Sequence, residues 1–230
     1  HALAIKALPT NGVAVYPADS EYSAYWKKIS DQRRVIDFAF NQTATVWGDW
    51  LDQASGQMAI HTPQGDIKVM LKILGDHNAC NAVAASAVAI AAGISPAMIQ
   101  AGLESFQPVN GRMQKHSLNN DITVIDDSYN ANPDSVRAAI DVLSNIKTAA
   151  WLVLGDMGEV GNQGPEFHRE VGHYAGEKGI QKLFALGDLS KETVVAYQAS
   201  AAHGNAAQHF SDVSALCTEL NKSLQARKNH

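Results

Sequence analysis

Two adjacent carboxylates follow an apolar run in the stretch from Asp121 to Ser135, which reads DITVIDDSYNANPDS. The β-branched residues before Asp126 and Asp127 are typical of a strand that helices bury on both faces, so both acids fall at the carboxyl end of that strand. Ligands of open α/β sheets bind at this end. The stretch is therefore interpreted as a strand, a ligand-facing loop and the start of a helix.

The polar residues after the two acids suit a connection between strand and helix. Asn130 and Asn132 are turn-forming residues. Asn132, Pro133 and Asp134 offer in succession a helix N-cap, a proline at the first helical position and an acid in the first turn. An ordinary loop, in which the Asp and Asn side chains only satisfy backbone groups, explains the same residues.

A second polar cluster, GDHNACN from Gly75 to Asn81, precedes an alanine-rich helix. His77 and Asn81 are four positions apart and share one face of the first turn, where the backbone N–H groups and the helix dipole also point. A polar or anionic ligand would find hydrogen-bond donors there. The alternative is a capped helix start with a hydrogen-bonded histidine.

A single arginine follows the turn-like segment 107–111, QPVNG, where the chain is expected to divide into two domains. The guanidinium of Arg112 could bind phosphate or carboxylate through paired N–H groups. The alternative is an arginine that is solvated or paired with an acid.

Composition and charge exclude several functional classes. The chain has 230 residues, 46% hydrophobic and 18% charged, and a net charge of -5, which fits a globular protein without a basic field for nucleic acid. Cys80 and Cys217 lack metal-ligand spacing, which favours reduced thiols in a cytosolic protein. The apolar run 82–94 is too short to span a bilayer, so neither a membrane segment nor a signal peptide is expected.

The order of the predicted elements changes along the chain. The first part is rich in strands, at 13–16, 34–40, 44–51, 57–61 and 66–71, with helices at 21–28, 76–92 and 96–106. The second part alternates strands at 122–126, 151–154, 183–186 and 208–210 with helices at 133–145, 165–178, 191–201 and 212–226. Alternation predicts a parallel, Rossmann-like sheet, but no GxGxxG follows a strand, which disfavours a dinucleotide-binding enzyme. His168, near the start of its helix, is expected at the surface.

Several separated motifs together resemble the Mur ligases. They are GDHNACNAVAASAVAIAAGIS, the GRM of 111–113, VIDDSYNANPDS, WLVLGDMGEVG and FHREVG. The resemblance covers essentially the whole chain, and DDSYNANP with GDMGE is more specific than any one motif. It implies an α/β protein in which residues 1–108 are the C-terminal part of a central, ATPase-type domain. Residues 109–230 would then be a Rossmann-like C-terminal ligase domain with a mainly parallel sheet.

The resemblance also implies a reaction. Members of the family use ATP and Mg²⁺ to phosphorylate a carboxylate, and an amine then attacks the acyl phosphate. The motifs are most similar to the members that join D-alanyl-D-alanine to UDP-N-acetylmuramoyl tripeptide during peptidoglycan precursor synthesis in the bacterial cytoplasm. Such a protein is expected to be a monomer.

Nucleotide contacts are carried over position by position. His77, Asn78 and Asn81 match the family's HNxxN segment, which lies against the adenine. Arg112 matches the arginine of the GR motif, which is expected at the ribose or the phosphates.

The loop residues are carried over in the same way. Asp127 resembles the aspartate that accepts hydrogen bonds from ribose hydroxyls, and Tyr129 is expected to contact the nucleotide. Asn130 and Asn132 are expected to contact the dipeptide substrate. No catalytic residue and no metal ligand is assigned, and neither Glu159 nor His168 receives a role.

The chain departs from the family in ways that bear on activity. A phosphate-binding GxxGK[ST] loop is absent, and no Gly-Lys pair occurs in the sequence. The uridine-nucleotide domain, the modified central-domain lysine and a last strand after residue 226 are also missing. Together with a first residue that is His1, these departures predict a truncated ligase that does not catalyse ligation alone.

Two other functions fit part of the pattern. Another Mur-type amide ligase, such as one that acts on folate and glutamate, would share the fold, although the DDSYNANP loop argues against it. A non-catalytic nucleotide-binding or interaction module would share the adenosine-side motifs. Activity on a panel of substrates would distinguish the first alternative from the D-alanyl-D-alanine ligase. A coding sequence that continues upstream of His1 into a GxxGK[ST] loop would argue against the second.

Overall fold

The computed structural model describes residues 2–73, 75–118, 122–146, 149–158, 160–202 and 204–227. The chain divides into two compact units, residues 1–109 and 110–230. No helix within the described ranges is long and apolar enough to cross a membrane.

The first unit is a mixed sheet with helices. Its elements are α1 Ala2–Ala7, β1 Val13–Pro17, α2 Ser23–Ser30, β2 Arg34–Phe40, β3 Val46–Asp52, β4 Gln57–His61, β5 Ile67–Met70, α3 Asp76–Ala91 and α4 Pro96–Ser105. The sheet order is β1-β2-β3-β4-β5, parallel from β1 to β3 and antiparallel from β3 to β5. All five predicted strands are confirmed, with ends shifted by a few residues.

The core of the first unit lies between the sheet and α3. Alternate strand residues such as Ile36 and Ile60 are buried, and the small residues of α3 bring Val83 and Ile90 against them. This packing holds the first turn of α3, which carries the HNxxN motif, on a rigid base.

The second unit alternates strands and helices. Its elements are β6 Gln114–Leu118, β7 Ile122–Asp126, α5 Pro133–Ser144, β8 Trp151–Gly155, α6 Gly164–Glu177, β9 Lys182–Leu186, α7 Ser190–Ser200, β10 Ala206–Phe210 and α8 Val213–Arg227. Strands β10, β9 and β8 form a parallel sheet in that order, which confirms the Rossmann-like prediction for this part.

The prediction that helices bury both faces of β7 is wrong. Among the described residues, β7 pairs with β6 in an antiparallel pair, from Gln114 opposite Asp126 to Leu118 opposite Ile122, and not within the parallel sheet. Val124 is 40% exposed, so helices do not bury both faces of this strand. Antiparallel pairs leave one face to solvent, and an apolar run alone does not distinguish the two cases. The strand itself is confirmed.

Helices cover both faces of the parallel sheet. On one face, α5, α6 and α7 pack Ile140, Val171 and Tyr197 against β8 and β9. On the other face, Leu216 of α8 packs against Phe184 and Phe210. The carboxyl ends of β8 and β9 are thereby fixed at one edge of the sheet.

Two glycines of α6 permit close contact with α7. A Cβ atom on Gly172 would lie 2.1 Å from the carbonyl oxygen of Thr193, and one on Gly176 would lie 2.2 Å from Ser200 Oγ. A larger residue therefore does not fit at either position without separating the helices.

The buried Tyr197 should make the second unit less stable at alkaline pH. Its hydroxyl donates to the carbonyl of Ile180, and burial raises its pKa to about 12. An unfolded tyrosine loses its proton near pH 10, so the stability present below pH 10 is lost as the pH rises towards 12. Between these values the free energy of unfolding should fall more steeply than in Tyr197→Phe, by up to about 1.4 kcal/mol per pH unit.

Urea unfolding at a series of pH values measures this difference. At pH 8 the Tyr197→Phe variant should be less stable by about 1 kcal/mol, because the carbonyl of Ile180 loses its donor. The gap should then narrow above pH 10. Parallel curves for the two proteins up to pH 12 would contradict the role of Tyr197.

Candidate functional site

The GRM motif and the DDSYN motif meet next to the β6–β7 pair. The backbone N–H of Tyr129 donates to the carbonyl of Gly111 at 2.9 Å. The backbone N–H of Met113 donates to Asp127 Oδ1 at 3.0 Å. We call segments 111–113 and 127–129, with these two hydrogen bonds, the motif latch. Two motifs that the sequence analysis singled out separately thus form one local structure.

The backbone of segment 111–113 has an unusual conformation. Gly111 has a φ of 71°, and a Cβ atom there would lie 2.9 Å from the backbone nitrogen of Tyr129. Glycine is therefore required both for the turn and for the approach of the second segment. Met113 has a φ of 48° although it is not glycine, and its side chain is buried. Residues keep such a conformation only where the surrounding structure enforces it, often at functional sites.

Arg112 lies between these two anchored residues. Its guanidinium carbon is 4.3 Å from the centroid of the Tyr129 ring, a cation–π contact. Arg112 is exposed, and Tyr129 is 65% exposed. A guanidinium carries five N–H donors, so an exposed Arg112 offers groups that can bind an anion.

The two acids at the end of β7 have different partners. Asp126 Oδ1 accepts the backbone N–H of Ser128 at 3.1 Å, and hydrogen bonds from Ser128 hold the pKa of Asp126 below its usual value. Asp127 is half-buried and accepts from Met113. Asp126 shapes the loop, whereas Asp127 joins it to the GRM segment.

The two asparagines of the loop also differ. Asn132 is the N-cap of α5: its Oδ1 accepts from the Ser135 backbone at 2.8 Å, and Ser135 Oγ accepts from the Asn132 backbone at 3.0 Å. The predicted cap is therefore confirmed, as a capping box. The side-chain oxygen of Asn132 is therefore used in this cap. Asn130 is exposed in the loop.

In the first unit, the start of α3 carries the other predicted contacts. His77 and Asn81 are exposed, and Asn78 Nδ2 donates to His77 Nε2 at 2.9 Å. The preceding Asp76 accepts from Trp50 Nε1 at 2.7 Å and from Gln53 Nε2 at 3.1 Å. These two donors, which the sequence analysis missed, anchor the helix start to the end of β3.

Asp156, in the GDMGE motif after β8, also lacked a predicted role. Its Oδ1 accepts the Ser190 backbone N–H at 2.8 Å, and its Oδ2 accepts the Asp188 backbone N–H at 2.9 Å. The carboxylate therefore caps α7 and joins the loops after β8 and β9. Glu159 lies outside the described residues.

The predicted surface location of His168 is wrong. Its exposed fraction is 0%, its Nε2 accepts the Met157 backbone N–H at 3.1 Å, and its Nδ1 contacts the Gly164 carbonyl at 2.8 Å. Both contacts are satisfied by a neutral ring with the proton on Nδ1. The helical spacing of His168 with Val171 and Ala175, both buried, was the signal that could have placed it.

Replacing His168 by alanine should destabilise the second unit by about 2 kcal/mol, because the Met157 N–H loses its acceptor and a cavity forms. His173→Ala is the matched control, since His173 is exposed on the same helix and pairs only at the surface with Glu177. It should change stability by less than about 0.5 kcal/mol. Urea midpoints measure both. Equal effects would contradict a structural role for His168.

The resemblance implies Mg²⁺, an ion that proteins usually bind through one or two carboxylates together with substrate phosphates. No three His, Cys, Asp or Glu side chains within the described ranges come together as metal ligands. At the motif latch, the carboxylate of Asp127 can accept hydrogen bonds from a ligand, and the guanidinium of Arg112 can bind an anion.

Comparison with known proteins accounts for these motifs. The profile of the Mur ligase middle domain matches residues 2–89, and that of the Mur ligase glutamate ligase domain matches residues 111–228. The chain belongs to the Mur ligase family. The resemblance drawn from the sequence motifs is thereby confirmed.

Two curated relatives of this Mur ligase chain carry the same name. The UDP-N-acetylmuramoyl-tripeptide–D-alanyl-D-alanine ligase of Buchnera aphidicola subsp. Baizongia pistaciae is 34% identical over 96% of this chain and 47% of the relative. The Escherichia coli K12 enzyme of the same name is 34% identical over 93% of this chain and 46% of the relative. The chain thus spans about half the length of these relatives.

Solved structures agree with this relationship. MurF from Acinetobacter baumannii matches with a TM-score of 0.85 and 27% identity, covering 98% of this chain and 48% of that chain. MurF from Thermotoga maritima in complex with ADP matches with a TM-score of 0.68 over 92% of this chain and 52% of that chain, at 18% identity, which shows a common fold. The α/β Mur ligase architecture predicted from the sequence is confirmed.

Proposed function

We propose that this chain works within an ATP-dependent amide ligase that joins D-alanyl-D-alanine to UDP-N-acetylmuramoyl tripeptide in peptidoglycan precursor synthesis. The observation that carries the proposal is the motif latch, which unites the GRM and DDSYN motifs around one exposed arginine. The curated relatives, 34% identical, support the choice of substrates. We expect a monomeric protein in the bacterial cytoplasm.

Each predicted residue has a proposed role. Asp127 accepts hydrogen bonds from the ribose hydroxyls of ATP, and Arg112 binds its phosphates through the guanidinium edge. Tyr129 belongs to the same nucleotide subsite. In the first unit, His77, Asn78 and Asn81 contact the adenine.

The remaining roles concern the substrates. Asn130 and Asn132 contact the dipeptide, Asn132 through its amide nitrogen. When bound, ATP supplies a phosphoryl group that converts the tripeptide carboxylate into an acyl phosphate. The amine of D-alanyl-D-alanine then attacks the acyl carbon, and the phosphate leaves. This chain contributes binding and orientation, which can supply much of the rate enhancement of such a step.

Product formation tests the proposal. The polypeptide encoded by the complete reading frame should convert UDP-N-acetylmuramoyl tripeptide to a product heavier by one dipeptide less water, with ATP, Mg²⁺ and D-alanyl-D-alanine present. No product with this pair, but activity with folate and glutamate, would assign a different ligase. The 230-residue chain alone should show no turnover, because its sequence contains no GxxGK[ST] loop.

A further inference from the structure

Tyr129 is unusual among the aromatic residues of the second unit because it lies at the surface. Tyr129 is 65% exposed, whereas Tyr197, Phe184 and Phe210 are buried in the two core clusters. Tyr129 therefore does not contribute mainly to the core. Its ring contacts the guanidinium of Arg112 at 4.3 Å.

The backbone on both sides of Arg112 is fixed by the motif latch. The carbonyl of Gly111 accepts from Tyr129 itself, and the N–H of Met113 donates to Asp127. The backbone position of Tyr129 thus determines where the ring meets the arginine. A Cβ atom on residue 111 would lie 3.3 Å from Tyr129 Cβ, so this contact also depends on the glycine.

A ring packed against a guanidinium restricts the rotamers of an otherwise exposed arginine. An arginine already held in place loses less conformational entropy when it binds an anion, and the affinity for the anion rises accordingly. The donors at the guanidinium edge are suited to phosphate oxygens.

The geometry points to Tyr129 as a positioning residue, which holds Arg112 in the orientation that binds the phosphates of a nucleotide. This inference rests on the proposed function and deepens it, since Tyr129 acts on the nucleotide through Arg112 and does not itself contact the phosphates. It also predicts that the aromatic ring is required and the hydroxyl is not.

Two variants separate the ring from the hydroxyl, and both are compared in the full 230-residue chain by calorimetric titration with ADP. Tyr129→Phe keeps the ring and should bind ADP within about twofold of the wild type. Tyr129→Leu should bind about fivefold more weakly, as expected for losing one cation–π contact. Tyr25→Leu, a half-exposed tyrosine of the first unit, is the control and should leave ADP binding unchanged.

A double variant tests whether Tyr129 acts through the arginine. Arg112→Ala should weaken ADP binding by more than fivefold, and adding Tyr129→Leu to it should cause no further loss. Independent losses that multiply would show direct contact between Tyr129 and the nucleotide and would overturn the positioning role.

A spectroscopic measurement without nucleotide completes the test. The ring should shift the side-chain proton resonances of Arg112 upfield in the wild type and in Tyr129→Phe, but not in Tyr129→Leu. ADP binding that Tyr129→Leu leaves unchanged would overturn this inference alone. Absence of ADP binding by a wild-type chain that shows the upfield shift would overturn the nucleotide subsite proposed for Arg112 and Asp127, and this inference with it.

Discussion

Replacing Asp127 by alanine is expected to lower kcat/KM for ATP about 100-fold in the complete ligase. The variant removes the carboxylate proposed to bind the ribose, and it leaves the Met113 N–H without its acceptor in the motif latch. Loss of a hydrogen bond to a charged group costs roughly 1.5–3 kcal/mol, which corresponds to tenfold to more than hundredfold in binding. Steady-state kinetics at saturating peptide substrates measure the change.

Two further variants make the Asp127 result specific. Asp127→Asn keeps an oxygen for Met113 but lacks the charge, and should be intermediate in activity. Asp134→Asn is the control: it removes the same charge from an exposed position in the first turn of α5 and should alter kcat/KM by less than about twofold. An Asp127→Ala enzyme with wild-type KM for ATP would contradict the assigned role.

Replacing Gly172 by alanine is expected to destabilise the second unit by about 3 kcal/mol, the upper part of the usual cost of overpacking. The new Cβ atom would lie 2.1 Å from the carbonyl oxygen of Thr193, which is backbone and cannot rotate away. Helices α6 and α7 would have to separate, and Val171 and Tyr197 would lose contacts in the core. Chemical denaturation measures the loss, and activity should fall only through loss of folded protein.

The same substitution should have the opposite sign in α4. A Cβ atom on Gly102 would meet nothing within 4 Å, so Gly102→Ala should stabilise the first unit by about 0.5–1 kcal/mol through the better helix propensity of alanine. The pair therefore separates a steric effect from a general effect of replacing glycine. A Gly172→Ala protein as stable as the wild type would mean that α6 and α7 can move apart without loss.

Local patterns were sufficient to predict most helices and strands. The capping sequence at Asn132 and Pro133 located the start of α5, because an N-cap and a proline at the first helical position are local signals. The alternation of strands and helices after β8 predicted a parallel sheet for a similar reason, since right-handed crossovers leave few other arrangements.

Other features depend on contacts that local patterns do not contain. Strand β6, QKHSL, has no apolar alternation, and it is a strand because β7 pairs with it. Strand β6 was therefore not predicted, and β7 was predicted in the wrong sheet. His168 was missed in a different way: a polar residue was assumed to face solvent, although its buried hydrogen bonds to Met157 and Gly164 satisfy both ring nitrogens.

In the candidate site, too, single residues were predicted from local motifs, whereas the contacts between them were not. Arg112 and Asp127 were recognised separately from their motifs, but their connection through Met113 was not predicted, because it follows from the pairing of β6 with β7. Asp156 was part of a recognised motif, yet its role as the cap of α7 required the positions of Asp188 and Ser190. Residue types were readable from the sequence, and the contacts between distant segments were not.

The motif latch also has a kinetic consequence, because it joins residues that are close in the chain. Met113 and Asp127 are only 14 positions apart. Closing so short a loop costs little chain entropy, whereas β8, β9 and β10 pair only after helical crossovers. After a local opening, the latch should re-form within microseconds, as hairpins do. After a local opening, Arg112 would therefore return to its contact with Tyr129 sooner than the strands of the parallel sheet pair again after an opening of their own.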